Sequence, residues 1–416
     1  MKKSLLISLL FMLSFLWVMS CETDYPPSIW VEDDAGNPNP VISSLTPPDS
    51  AFGAADQRQE VVINGSNFMD DPTANFVYFG NMQGTVNSAS TTQLTVTPPA
   101  NFQSGLTVKV AVHGAYLFGT YGTESAAHPY KLKNPVTQIL GYDKYVVPEG
   151  ICVDGANNLI ITHGKIVDKV SPSGVIRTIG EIKAKSTNNV QVGPDGALYY
   201  TYTKYIMKTD TVAFQHGNTK LATNVKDLDF DRNGHLYIVG DDAIYSANYS
   251  DLVTVVAADV PDYGFNCVRI FNDELYVAGK YKGTDPAVAT GTFIWKYALD
   301  VNNGTVTGDR QVVLNWSTTA YAGLAITSMT FDAAGKIYVG TEKYSLLCIT
   351  PTGSDYATGT IAKVYTSLLG GELAFRLFWG TDNTLYMSAK NDANPDKTKM
   401  LKANMFEAGA PYFGRE

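Results

Sequence analysis

Polar residues that could bind a ligand recur in this chain at regular intervals. Glu149 and Asn188 lie 39 residues apart, and Asn266 follows 78 residues after Asn188. One carboxylate and two carboxamides supply the oxygen ligands that a hard cation such as Ca²⁺ prefers. The same groups, together with Arg376, could instead hydrogen-bond the hydroxyl groups of a sugar. These residue types therefore fit a metal site or a carbohydrate site if the fold brings them together.

Aromatic residues accompany these polar residues in the sequence. They are Tyr145, Tyr263, Phe265, Trp316 and Tyr321. A sugar ring has apolar faces and polar edges, so its binding site combines flat aromatic rings with hydrogen-bonding side chains. Trp316 and Tyr321 lie in an unusually long stretch between repeats, and long loops on a rigid scaffold often carry binding groups. We therefore expect a binding groove with Trp316 and Tyr263 as its floor.

The regular intervals arise from a β-hairpin that occurs six times. In the clearest copy, residues 225–239, an Asp-x-x-Gly turn joins two runs of alternating apolar residues. The second strands open at Leu159, Leu198, Leu236, Leu275, Ile337 and Leu385, the first four of them 39, 38 and 39 residues apart. A period of about forty residues with four short strands is typical of a β-propeller blade. Because one blade cannot bury both of its faces, six copies predict a ring of six blades.

The loops that lead into the innermost strands should meet around the axis of such a ring. Counting ten residues back from each second strand selects Glu149, Asn188, Lys226, Thr327 and Phe375, and the shorter fourth unit selects Asn266. Arg376 lies in the last of these loops. Asp227 is one residue beyond its counted position, and a shift of one residue on a strand reverses the face. We therefore expect a polar centre with aromatic residues around it, without an evident axial aspartate.

Two of the six copies resemble the NHL repeat. They are Pro148-Glu-Gly-Ile-Cys-Val-Asp154 with Asn158-Leu-Ile-Ile161, and Asp231-Arg-Asn-Gly-His-Leu-Tyr-Ile238. The resemblance agrees with the six blades that the repeat predicts over residues 135–413. The last copy supplies only three strands, so the preceding segment 136–140 is expected to complete its blade and protect its edge. The tyrosines that follow the opening residue are expected to pack between blades. They are Tyr199, Tyr237, Tyr276, Tyr338 and Tyr386.

Residues 40–133 form a second series of short alternating strands. Val61-Val-Ile-Asn-Gly-Ser-Asn-Phe68 and Asn75-Phe-Val-Tyr-Phe-Gly80 follow one another in the order of the IPT/TIG family, which this region resembles. The resemblance implies an immunoglobulin-like β-sandwich, and the length agrees with one. It also implies structural roles for Gly65 in a turn and for Phe68 in the core. The whole chain is thus expected to be all-β.

The first residues carry targeting signals. In residues 1–20, Lys2-Lys3 precede an apolar run, which is typical of a secretory signal peptide. Val18-Met-Ser-Cys21 resembles a bacterial lipobox, which implies that Cys21 is lipidated. Glu22-Thr-Asp24 is similar to the acidic tag of cell-surface lipoproteins in Bacteroidetes. With residues 21–39 as a flexible tether, we expect a surface-exposed lipoprotein of the outer membrane.

Charge and composition argue against several other classes. The net charge is −9, and no dense run of Lys or Arg follows the signal, so nucleic acid is not an expected partner. Cys152, Cys267 and Cys348 are scattered through strands, which predicts buried free thiols rather than disulfides. The five histidines form no HExxH motif or close pair, so a zinc site is not expected.

Three functions remain open. The first is non-catalytic binding of an oligosaccharide or polysaccharide by the loop face, without a cofactor, together with outer-membrane glycan transporter components. The second follows from a resemblance to gluconolactonase-type propellers, which implies a metal-dependent hydrolase or lyase with Ca²⁺ held by Glu149, Asn188 and Asn266. The third is a protein-interaction scaffold. Because no motif specifies a nucleophile or a general base, we expect binding rather than catalysis.

Overall fold

The computed structural model describes residues 36–53, 59–121, 129–142, 148–285, 290–343, 346–369, 372–391 and 398–413. The predicted signal peptide, Cys21, most of the predicted tether and Tyr145 lie outside this range. No helix among the described residues is both long and apolar enough to cross a membrane. The chain divides into two compact units, a sandwich and a larger propeller-like unit.

Nine short strands lie in the described part of the sandwich. They are β1 (Val41–Thr46), β2 (Ser50–Phe52), β3 (Val61–Ser66), β4 (Asn75–Phe79), β5 (Met82–Ser90), β6 (Gln93–Thr97), β7 (Val108–Val112), β8 (Gly119–Tyr121) and β9 (Lys131–Lys133), with a 3₁₀ turn at Pro72–Ala74. Seven of them pair in the order β1-β3-β6-β5-β4-β7-β8, and β2 pairs with β9. In β3 and β4 alternate residues are buried, as expected for strands with one face in the core.

Phe68 has the core role that the sequence predicts, whereas Gly65 lies within strand β3, paired with Ile42, and not in a turn. Phe68 is 3% exposed and belongs to the core of the sandwich. A Cβ at position 65 would lie 1.9 Å from the Val41 carbonyl oxygen and 2.6 Å from the Phe68 ring. Only glycine therefore allows the backbone of β3 to approach β1 this closely.

The described residues of the second unit form 22 strands and one short helix. Blade 1 is β11 (Gly150–Val153), β12 (Leu159–His163), β13 (Ile166–Val170) and β14 (Ile176–Glu181), and blade 2 is β15 (Val190–Val192), β16 (Leu198–Tyr202), β17 (Tyr205–Thr209) and β18 (His216–Lys220). Blade 5 is β25 (Ile326–Phe331), β26 (Ile337–Thr341), β27 (Leu347–Thr352) and β28 (Asp355–Lys363). Blade 6 is β29 (Glu372–Trp379), β30 (Thr384–Asn391), β31 (Thr398–Asn404) and β10 (Val136–Tyr142), and the helix α1 is Thr366–Leu369.

One six-stranded sheet accounts for blades 3 and 4. Its strands are β19 (Val225–Phe230), β20 (Leu236–Ala247), β21 (Thr254–Phe271), β22 (Glu274–Tyr281), β23 (Gly291–Asp300) and β24 (Thr305–Asn315). In β20, residues 236–240 pair with β19 and residues 243–247 pair with β21. In β21, residues 254–259 pair with β20 and residues 263–271 pair with β22. Each long strand thus serves as two, so the five sheets form six blades of four strands.

The earliest strand of this unit closes the ring. Strand β10 pairs antiparallel with β31, for example Val136 with Ala403, and so becomes the outer strand of blade 6. The last strands of the chain therefore do not leave an open edge there, which would favour pairing with other chains. This pairing confirms the closing strand predicted from residues 136–140.

Aspartates hold the turns of the hairpins. Asp231 accepts hydrogen bonds from the backbone amides of Asn233 (3.0 Å) and His235 (2.9 Å). Asp154 and Asp332 accept from the equivalent amides of their own turns. The aspartates of the repeated turn are therefore used to satisfy backbone donors.

The repeated tyrosines pack between blades, as predicted. Tyr199, Tyr237, Tyr276, Tyr338 and Tyr386 are all buried. The Tyr199 ring of blade 2 meets Phe230 of blade 3 edge-on with 5.3 Å between centroids, and Tyr338 of blade 5 meets Trp379 of blade 6 at 5.6 Å. Because each ring leaves its own blade and contacts the next one, these residues hold neighbouring blades together.

Candidate axial binding site

Four of the six positions counted from the sequence are β-bulges. In blades 3 to 6 the pairing of the two innermost strands slips by one residue, leaving Lys226, Asn266, Thr327 and Phe375 as the extra residues. A bulge directs a side chain away from the ordinary alternation of a strand. In blade 2 the amide of Asn188 bonds to the Thr201 carbonyl just ahead of β15. The bulge therefore explains why counting back from the second strand reaches an equivalent position in blades whose sequences differ.

Six residues at this end of the innermost strands form what we call the axial ring. They are Glu149, Asn188, Lys226, Asn266, Thr327 and Arg376, one from each blade. All six are polar and half-buried. Each is thus accessible from solvent while its polar atoms are held by protein.

Five hydrogen bonds around the axial ring connect blades 1 to 6 in order. They are Thr187 N to Glu149 Oε2 (2.9 Å), Asn188 Nδ2 to the Val225 carbonyl (2.8 Å), Lys226 Nζ to Asn266 Oδ1 (3.1 Å), Asn266 Nδ2 to the Ile326 carbonyl (3.1 Å) and Thr327 Oγ1 to the Ala374 carbonyl (2.8 Å). The same side chains therefore tie the blades together and fix one another in place. Such fixed polar groups are prepared to bind without losing rotamer freedom.

Arg376 spans the centre of the axial ring. Its Nε donates to the carbonyl of Asn188 in blade 2, and its terminal NH1 donates to the carbonyl of Thr327 in blade 5 at 3.2 Å. Burial lowers the pKa of Arg376 from its ordinary value. Burial raises the pKa of Glu149, an effect that the Thr187 amide and the Arg376 charge partly offset.

The axial ring does not fit a divalent cation. Of the three predicted ligands only Glu149 carries a charge, and the amide oxygen of Asn266 already accepts from the Lys226 ammonium. The Arg376 guanidinium is bound to the backbone of Asn188, the third predicted ligand. Among the described residues no three His, Cys, Asp or Glu side chains are grouped to hold a metal ion. A cation here would face two permanent positive charges and one carboxylate.

The predicted aromatic floor is not available to a ligand. Trp316 is fully buried, donates from Nε1 to the Leu324 carbonyl (3.0 Å) and stacks on half-buried Tyr321 at 5.7 Å. Tyr263 is only 9% exposed, because the Arg310 guanidinium lies 4.0 Å above its ring. The prediction that Trp316 and Tyr263 floor a groove is therefore wrong. The 3₁₀ turn Trp316–Thr318 directs the indole into the core instead.

A buried polar network lies further along the innermost strands and was not predicted. Arg269 Nη1 donates to Asp227 Oδ2 at 2.9 Å, and Gln191 Nε2 donates to Asp229 Oδ1 at 2.9 Å. Burial raises the pKa of Asp229 to about 6, although the Arg269 charge counteracts it. The bulge at Lys226 brings Asp227 into this network, contrary to the expectation of no axial aspartate. The sequence signal for this network is the presence of Asp227, Asp229 and Arg269 between apolar residues of two innermost strands.

The last described residues close the far end of the network. The Tyr412 hydroxyl lies 2.9 Å from that of Thr330 and accepts from the amide of Phe331 at 2.6 Å. The ring of Phe413 lies 5.5 Å from that of Phe230. The segment after the final strand thus packs against the ends of the innermost strands of blades 3 and 5. Cys152, Cys267 and Cys348 are buried and are not joined in disulfides within the described part of the chain, as predicted.

Comparisons with known proteins give one family match and several similar solved structures. Residues 40–126 match the family model of the IPT/TIG domain. Among solved structures, an auxiliary nutrient binding protein from Bacteroides thetaiotaomicron is 13% identical over 88% of this chain and 98% of its own, with a TM-score of 0.46. A gluconolactonase from Xanthomonas campestris is 14% identical over 64% of this chain and 89% of its own, with a TM-score of 0.48.

A regucalcin, a calcium-binding protein from Agrobacterium tumefaciens, is 15% identical over 65% of this chain and 94% of its own, with a TM-score of 0.47. No curated protein matches the chain. At these identities the functions of the similar structures do not transfer to this chain.

Proposed function

We propose that the protein is a non-catalytic, glycan-binding lipoprotein whose propeller binds sugar at the axial ring. The observation that supports this proposal is the set of six half-buried polar residues, one from each blade. Their carboxylate, amide, hydroxyl and cationic groups offer both donors and acceptors over a small area. A sugar presents hydroxyl groups that donate and accept in the same way.

The proposal moves the site from the aromatic residues to the polar ones. Trp316 and Tyr263 are withdrawn into the protein, so affinity would come from hydrogen bonds alone. Each such bond contributes about 0.5–1.5 kcal/mol net, or 1.5–3 kcal/mol with a charged group. We therefore expect a dissociation constant in the micromolar range or weaker for a single site.

Lipid anchoring is part of the same proposal. Cys21 would carry the lipid, residues 21–39 and the sandwich would provide reach, and outer-membrane glycan transporter components would receive the glycan. Many anchored copies would compensate for weak single contacts, because a second contact becomes effectively intramolecular. The alternative of a Ca²⁺-dependent hydrolase is disfavoured by Lys226 and Arg376 within the axial ring.

A glycan array probed with the soluble protein from Glu22 onward, with and without Ca²⁺, tests the proposal. Glu149→Gln removes a charge from the axial ring with little change in side-chain volume, and Lys226→Ala removes the ammonium group by truncating the side chain. Each variant should weaken glycan binding roughly tenfold. Lys402→Ala removes an exposed lysine from β31 and should leave binding unchanged.

Two results would overturn the proposal. The first is the absence of binding to every glycan. The second is a Ca²⁺-dependent rise in melting temperature that Glu149→Gln abolishes, which would place a metal at the axial ring instead.

A further inference from the structure

The packing between blades departs from its repeat at one place. Five blades carry tyrosine after the residue that opens the second strand, whereas blade 1 carries Ile160. In the other blades this tyrosine contacts the following blade, as Tyr276 does with Phe331 at 4.8 Å between centroids. Blade 1 therefore presents a smaller, aliphatic residue to blade 2.

The facing residue of blade 2 is small as well. The tyrosines of blades 2, 4 and 5 meet Phe230, Phe331 and Trp379, each of which ends or nearly ends an innermost strand. In blade 2 the corresponding residue is Val192, the last residue of β15. Both members of an aromatic pair are thus replaced by aliphatic residues between blades 1 and 2.

A cavity of about 590 Å³ lies between these two blades, and we call it the 1/2 cleft. Ile160 and Val192 both line it. The corresponding space between blades 4 and 5, the 4/5 cleft, has about 370 Å³ and is lined by Tyr276. The larger volume of the 1/2 cleft lies within the range of about 300–1,000 Å³ that is typical of small-molecule sites.

The walls of the 1/2 cleft are aliphatic and its rim is cationic. Ile179 and Leu198 line it together with Ile160 and Val192. Lys169 and Arg177 follow Ile160 as direct cross-strand neighbours, and both line the cavity. The third charge in the lining is that of Asp154, which pairs with Lys169 at 2.8 Å. The lining therefore carries one net positive charge.

The 4/5 cleft has the opposite balance. Its equivalent row is Tyr276, Lys296 and Gln311, so a neutral residue occupies the position of Arg177. Lys296 pairs with Glu274 at 2.6 Å, and Asp355 adds a second carboxylate to the lining. The two clefts have equivalent strand pairing. They differ in that Tyr276 lines only the 4/5 cleft, and in the sign of the net charge of the lining.

We propose that the 1/2 cleft binds a small amphiphilic anion, with a flat apolar ring between Ile160 and Val192 and an acidic group at Arg177. The ring would occupy the region that an aromatic pair occupies between other blades. Burial of such a ring between aliphatic walls supplies most of the affinity, and the cationic rim selects acids over neutral analogues. This site is separate from the axial ring and does not depend on its function.

Two fluorescent probes that share one ring system test the proposal on the whole mature chain. 1-Anilinonaphthalene-8-sulfonate carries an acidic group, and N-phenyl-1-naphthylamine lacks it. Both should bind saturably at one site. Ile160→Tyr with Val192→Phe restores the aromatic pair and should abolish the binding of both probes.

Arg177→Glu changes an exposed residue, so it remains informative if the double variant fails to fold. It should weaken the sulfonate roughly tenfold and the neutral probe less than twofold. Gln311→Glu makes the same residue at the equivalent position of the 4/5 cleft and should change neither probe. Unsaturable binding, equal binding by the filled double variant, or equal weakening of both probes by Arg177→Glu would overturn the proposal.

Discussion

The axial ring and the 1/2 cleft use the repeat of the propeller in opposite ways. At the axial ring the blades supply five kinds of polar residue, in blade 6 from the position after the bulge, and hydrogen bonds between blades hold all of them. At the clefts five blades supply the same tyrosine, and only Ile160 departs from it. The axial ring thus combines different residue types that are linked by hydrogen bonds. The clefts repeat one residue type, apart from Ile160, whose smaller side chain leaves a cavity.

This difference suggests how binding sites arise in a repeat protein. A position whose residue varies between blades can contribute to a binding site without harming the packing, because a bulge directs its side chain away from the ordinary alternation of the strand. An exception at a packing position removes contacts and costs stability. The aliphatic pair Ile160 and Val192 is thus harder to explain by packing than the residues of the axial ring.

The largest expected effect tests how much the axis depends on its polar groups. Arg269→Met removes the buried partner of Asp227 and leaves a carboxylate uncompensated. Loss of one partner of a buried pair costs about 3–5 kcal/mol. Urea unfolding should show this loss, whereas Arg232→Met, in an exposed pair with Asp273, should cost less than about 1 kcal/mol. If both variants lost the same free energy of unfolding, the buried pair at the axis would not be more important for stability than an exposed pair.

The next effect is a pH dependence that belongs to the axis and not to the cleft. The folded pKa of Asp229 is raised to about 6, above the unfolded value of about 3.9. The folded protein therefore holds this proton more tightly, so the contribution is complete below about pH 4 and is lost as the pH rises through 6. The difference of about two pH units corresponds to roughly 2–3 kcal/mol.

Asp229→Asn isolates this contribution, because the variant cannot titrate. The melting temperature of the wild-type protein relative to Asp229→Asn should fall between pH 4 and pH 7. The lost acceptor of Asn would add a constant offset that does not change with pH. A difference in melting temperature between the two proteins that does not change with pH would show that folding does not raise the pKa of Asp229.

Much of this architecture could be predicted because its signals are local. The Asp-x-x-Gly turn and the alternating strands lie within one hairpin, so the six blades follow from spacing alone. Counting back from the second strands reaches Lys226, Asn266 and Thr327, each of which is the bulge residue of its innermost strand. The departure at Ile160 is also visible in the sequence, although the size of the cleft depends on blade 2.

What could not be predicted depends on contacts between distant residues. Asp227 and Arg269 are 42 residues apart and meet only when blades 3 and 4 are placed side by side. The burial of Trp316 depends on a 3₁₀ turn inside a long connection, for which no repeat offered a template. Aromatic residues in a loop gave no information on which way their rings would point.

A smaller effect tests whether the axial ring also holds the blades together. Thr327→Val keeps the shape of the side chain and removes its hydrogen bond to the Ala374 carbonyl. One such bond contributes about 1 kcal/mol, and a buried acceptor that loses its donor costs about 1–3 kcal/mol; Ala374 is only 1% exposed. Urea unfolding should show a loss of about 1–3 kcal/mol. A larger loss would mean that the axial ring is mainly structural and would weaken the case for a sugar site.

The smallest effect concerns the 1/2 cleft and has the opposite sign. Ile160→Tyr introduces the ring that the other five blades carry and fills part of the 590 Å³ cavity. Filling a cavity at a compatible position commonly adds about 0.5–2 kcal/mol, which raises the melting temperature by a few degrees at most. Tyr276→Ile in the 4/5 cleft is the matched control and should lower it, because it removes the contact with Phe331. If Ile160→Tyr destabilised the protein, the cleft would be shaped by packing and the exception would need no ligand to explain it.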